Sequence, residues 1–103
     1  MSTSGNGAQA RWEVHLSVAV AQSLHALQQE ASQQGRGQDV IDAYRHVIER
    51  LRLNPTTVGE PLYRLPAMRM QVRTVVVRPL AVDFAVCEDR PLVFLKGFRL
   101  LSP

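Results

Sequence analysis

The chain has a single cysteine, Cys87, one lysine and six aromatic residues of the Phe, Tyr and Trp kind among 103 residues. One thiol forms no intramolecular disulfide and builds no thiolate zinc cluster. With so few aromatics, and none interleaved with glycines on adjacent strands, a base-stacking RNA platform is unsupported. No apolar run approaches the roughly 20 residues that a membrane-spanning helix needs. No glycine-rich phosphate loop follows a strand, and no His/Asp/Glu cluster stands at ligand spacing, so no cofactor or metal is expected. Met1–Ala10 lacks the basic and apolar regions of a secretory signal. It reads as a disordered leader (residues 1–10) before one domain (residues 11–103), with a cytoplasmic location as the default and no membrane partner.

The rest of the composition is globular. Hydrophobic residues make up 46% of the chain, and its length suits one core. The net charge of +3 is unevenly placed: residues 1–51 hold four Arg against five acids, and residues 52–103 hold eight Lys/Arg against four. Eleven of the twelve cations are Arg, which suits bidentate phosphate or carboxylate contact better than Lys does.

Hydrophobic periodicity gives the elements. Arg11–Val18 alternates Trp12, Val14 and Leu16 against Glu13 and His15, as a half-buried strand does. Ser17 can cap a helix whose stripe is Val20, Leu24, Leu27 and Ala31, and Gly35-Arg36-Gly37 stops it. A second helix starts near Gln38-Asp39, with Val40, Tyr44, Val47, Ile48 and Leu51 as its stripe, and ends at Asn54-Pro55. Helices joined so closely form an antiparallel hairpin. Then the period changes to two. Leu62–Leu65 is a short strand. Met68–Val77 is a longer one, with Met68, Met70 and Val72 expected inward and Arg69, Gln71 and Arg73 outward. Leu80, Val82, Phe84 and Val86 form the next inward set, and Leu92–Leu101 is apolar on both parities, as a central strand is. The fold class is therefore α+β: an N-terminal strand, then a helical hairpin packed on a mostly antiparallel meander of four to five strands, with arginines on the sheet's open side.

The order of these pieces resembles the RelE/ParE toxin superfamily of type II toxin–antitoxin and plasmid-stabilisation systems. The resemblance is carried by Leu51-Arg52-Leu53-Asn54-Pro55, by Gly59-Glu60-Pro61-Leu62-Tyr63-Arg64-Leu65, by Arg69, by Val82-Asp83-Phe84-Ala85-Val86 and by Val93–Arg99 with its Gly-x-Arg ending. It spans residues 11–101. It implies a separate small antitoxin as partner. For a member of the ribonuclease branch it implies metal-independent cleavage of messenger RNA on the ribosome, with cations stabilising the strained phosphate; for a ParE-like member it implies gyrase as target. Two positions depart from the pattern: Leu80-Ala81 stands where Tyr-Arg is usual, and Phe98 where many ribonuclease members carry His or Tyr.

The residues expected to do chemistry follow from this. Arg69, Arg73 and Arg99 are the candidate catalytic cations, and Arg64, Lys96 and Tyr63 the candidate RNA or partner contacts. Lys96 and Arg99 share a face only if Gly97 marks a bulge. Asp83 points outward, ready to pair with an arginine of the meander. His15, His25 and His46 offer no acid/base pair, although His25 and His46 can face one another across the hairpin. Two function classes result. One is a translation-inhibiting mRNA interferase or a weakened descendant of one. The other is a non-catalytic module, ParE-like or domesticated, that holds a partner protein. The two departures favour the second.

Overall fold

Helix ends and turns fall where the capping residues put them in the computed structural model, which describes residues 11–102. The leader expected over residues 1–10 lies outside the described residues. Strand β1 (Glu13–His15) is shorter than the alternating stretch around it, because Ser17 already begins a helix and the Trp12 N–H is donated to the Arg52 carbonyl at 2.9 Å. Helix α1 (Val18–Gln33) starts with the Ser17 hydroxyl accepting from the Val20 N–H at 3.1 Å. It stops where Gly35 takes φ +75°, a conformation open to glycine at little cost. Helix α2 (Gly37–Leu53) follows at once, because Gly37 lies against Ser32, where any side chain would collide. Asp39 in its first turn and Arg50 and Arg52 in its last complement the helix dipole. Asn54 ends α2, and its side chain caps the 3₁₀ turn Pro55–Thr57.

The remaining strands are β2 (Glu60–Leu65), β3 (Met70–Val77), β4 (Leu80–Cys87) and β5 (Leu92–Leu100). Sheet order is β1-β5-β4-β3-β2. The strands β5, β4, β3 and β2 pair antiparallel, and β1 pairs parallel to β5. The chain is thus α+β, two helices packed on one face of a five-stranded mixed sheet, as expected. β5 is internal, between β1 and β4, which accounts for its apolar residues on both parities. The outer edge belongs to β2, whose Pro61 and register shift before Tyr63 are features that blunt an exposed edge.

The core lies between sheet and hairpin. Leu27 and Ala31 of α1 and Val40, Val47 and Leu51 of α2 meet Val75, Val82, Phe84, Val93 and Leu95 of the sheet. Phe84 is wholly buried, which removes about 3 kcal/mol worth of apolar surface from water. Among the described residues no helix is long and apolar enough to cross a membrane.

One expectation is reversed. On β3 the core-facing residues are Val75 and Val77, so the same parity carries Gln71 and Arg73 toward the helical layer. Met70, Val72, Thr74 and Val76 occupy the open face. The start of the strand also differs: Pro66–Met68 is a 3₁₀ turn, and Arg69 follows in the left-handed region at φ 53°.

Candidate functional site

The pairing registers define the open face. In one row across the sheet lie His15, Phe94, Ala85, Val72 and Tyr63. In the next lie Gly97, Asp83, Thr74 and Glu60. A third row holds Arg99, Ala81 and Val76. Ala81, Ala85 and Val72 are buried there, on the side of the sheet away from the helical core. The His15 and Phe94 rings stack with centroids 5.4 Å apart, while Tyr63 and Val76 are exposed.

This face is apolar with one polar row, and its charge is acidic. Glu13, Glu60 and Asp83 lie on it against Arg99, with the exposed Lys96 at the bulge of β5 beside them. The Arg99 Nη2 is 3.5 Å from the Asp83 Oδ1, so the outward aspartate does pair with a meander arginine. That approach is an ion pair without a hydrogen bond: Asp83 Oδ1 is buried and has no hydrogen-bond partner, and the neighbouring Thr74 Oγ1 is in the same condition. A residue is inserted at the bulge facing Asp83 and Phe84, around Lys96, which is exposed. The bulge stands next to Gly97, where the sequence placed one, and resets the parity so that Gly97 and Arg99 lie on the open face with Lys96 exposed at the bulge beside them.

The other candidate cations are elsewhere. Arg73 is 8% exposed. Its Nε donates to the Val58 carbonyl at 2.9 Å, one terminal nitrogen to the Gly59 carbonyl at 3.1 Å and the other to Gln71 Oε1 at 3.3 Å. It is therefore not outward beside Arg69, as alternation anchored on Met70 and Val72 had placed it. Gly59 itself sits at φ +64°, pressed on the Thr74 carbonyl. Arg73 fastens this link to the sheet. Arg64 also shares the helix-side parity, opposite Gln71, and makes a bidentate pair with Glu88 at 2.5 and 2.7 Å. The hydrogen bond from Arg64 holds the Glu88 carboxyl below its ordinary range. Arg69 is exposed in its turn, 3.8 Å from Asp89.

Arg69 and Arg99 mark opposite ends of β4. The Arg69 carbonyl accepts from the Glu88 N–H, whereas Arg99 pairs with Ala81. About seven residues of strand separate those rungs, about 23 Å at the usual rise. The three arginines do not converge on one phosphate.

The histidines stay apart as well. His25 lines a groove between the helices with Leu24, Ile41 and Tyr44, and His46 lines a different cavity with Asp39, Asp42 and Arg78. Burial of Tyr44 in that hairpin raises its phenol above the ordinary value, against a smaller lowering by Arg52. Among the described residues no group of three His, Cys, Asp or Glu can hold a metal ion. Among the described residues, Arg45, Arg50 and Arg52 are exposed cations without an ion pair on the later turns of α2, the layer opposite the open face, and Arg11, Arg78 and Lys96 are exposed and without one elsewhere.

Sequence reasoning missed the polar row of Glu60, Thr74 and Asp83. Asp83 alone was visible as an outward acid; its neighbours come from strand register, which no single segment encodes. Comparison of the chain with protein-family models, with curated proteins and with solved structures gave no match.

Proposed function

We propose that this chain is a protein-binding module of the RelE/ParE type, which holds a partner on its open sheet face and does not cut RNA. The observation that carries the reading is the charge of that face. Metal-independent RNA cleavage needs cations aimed at the developing phosphate charge. Here Glu13, Glu60 and Asp83 stand against Arg99 and the exposed Lys96 at the bulge, and Arg99 is already beside Asp83. Arg73 and Arg64 are committed to the Val58–Gly59 carbonyls and to Glu88. What the face offers is apolar surface with an acidic row, and that combination suits a protein segment carrying apolar and basic side chains. A ParE-like action on a protein target such as gyrase belongs to this class; a RelE-type interferase does not. An antitoxin remains the partner that the family resemblance implies.

The test is induced expression in a bacterial host, following growth with pulse-labelled protein and DNA synthesis. The module reading expects translation to continue. Selective loss of DNA synthesis, or no growth effect with folded protein accumulating, both fit it. Rapid translation arrest that disappears in the Arg69→Ala/Arg99→Ala double variant would establish the interferase in its place.

A further inference from the structure

On the open face, Asp83 Oδ1 and Thr74 Oγ1 are buried atoms of two residues paired across β3–β4, and neither has a hydrogen-bond partner, while the Asp83 side chain as a whole is 34% exposed. Buried polar atoms are satisfied in nearly all native proteins, so this pair marks a position waiting for a donor. Across β4–β5, Asp83 faces Gly97. A methyl group added at Gly97 would meet nothing within 4 Å, so the space over it is open. Arg99 approaches from the next rung and offsets the charge of Asp83, but leaves Oδ1 without a hydrogen bond.

We infer that Asp83 and Thr74 form the receptor for one cationic side chain, lysine or arginine, of the partner segment, which comes in over Gly97 and replaces Arg99. The inference rests on the reading that the open face receives a protein. An ammonium or guanidinium head carries several N–H donors and can satisfy a carboxylate and a hydroxyl oxygen together. With Arg99 displaced, a neutral donor leaves the Asp83 carboxylate without a countercharge, and an anion is repelled by it. Arg99 acts as a tethered stand-in: it occupies the receptor weakly in the free protein and yields to a better-placed cation.

The experiment is a titration of the full ¹⁵N-labelled chain with N-acetyl-arginine methylamide, with the citrulline analogue as its uncharged isostere. Saturable amide shifts centred on Thr74, Asp83 and Gly97 are expected with arginine and not with citrulline. Asp83→Asn should weaken binding at least about tenfold, the loss of one charge-assisted hydrogen bond. Gly97→Ala puts a methyl group into the open space over Gly97, where it meets nothing within 4 Å, and should also weaken binding, so the proposal stays testable if the Asp83 variant folds poorly. Arg99→Ala removes the competitor and should tighten binding. Weaker binding in Arg99→Ala, equal response to citrulline, or no saturable shift at these residues overturns the receptor. A failed titration with translation intact on expression removes the receptor and leaves the binding-module reading standing. Translation arrest that depends on Arg99 removes both.

Discussion

Arg73 offers the most demanding test of the structure, because the alternation of its strand and its observed environment give opposite answers. If the guanidinium faced solvent, Arg73→Met would be nearly silent, within about 0.5 kcal/mol, as surface substitutions usually are. In the structure it donates to the carbonyls of Val58 and Gly59 from a buried position. Hydrogen bonds to charged groups contribute about 1.5–3 kcal/mol each, which sets an upper range of about 3–6 kcal/mol for the two. Gly59 is exposed, so water can reach its carbonyl once the arginine is gone, and the loss settles at about 3 kcal/mol. Methionine keeps most of the apolar stem, so the loss reports the guanidinium itself. For a domain of this size that is a fall in melting temperature of about 12–24 °C. Arg73→Lys keeps the charge but not the fork, and should recover only about half. Urea unfolding followed by circular dichroism measures all three proteins, with Arg99→Met as the exposed control. A loss below about 1 kcal/mol in Arg73→Met, matching the control, refutes the buried assignment and returns the residue to the open surface.

Gly59→Ala should cost about 2 kcal/mol or more, since φ +64° strains any other residue and the new methyl would strike the Thr74 carbonyl; equilibrium denaturation with an unchanged m-value checks it. Phe84→Ala, with no exposed surface to begin with, should lose about 3–5 kcal/mol by calorimetry. The depressed Glu88 carboxyl stabilises the fold above the ordinary carboxylate value of 4.5, and that stabilisation is lost as pH falls through the folded-state value. Glu88→Gln should therefore flatten the acid limb of a stability–pH profile, and added salt should shrink the difference, because the pair is exposed. A profile unchanged by the substitution would show that the pair is not formed in solution.

Much of the fold was legible because its signals were local. Ser17, Gly35 and Asn54-Pro55 bound the helices where capping chemistry puts them, and the stripe Val40, Val47, Ile48 and Leu51 is the buried face of α2. On β4 the set Leu80, Val82, Phe84 and Val86 was also assigned to the correct side. β3 was not, and the reason is physical. Val75-Val76-Val77 is apolar on both parities, so the strand's phase hung on Met70 and Val72, and a shift of one residue exchanges every side chain between faces. Val72 is indeed buried, but outside the core between sheet and helices. The site suffered from that exchange: Arg73 left the surface, and Thr74 took the place beside Asp83. Arg64 and Glu88 are 24 residues apart and meet only through the sheet, so their pairing had no local signal.

The parallel pairing of β1 with β5 sets Val14 beside Val93. During synthesis, β1 leaves the ribosome well before β5 and has no strand neighbour until β5 follows. The hairpin helices and the β2–β3–β4 meander can take shape from nearby segments, whereas the β1–β5 pairing forms late, after a long loop has closed. Until then Trp12, Val14 and Leu16 have no sheet to complete, and the nascent chain carries an uncovered apolar seam along the path that β5 will occupy.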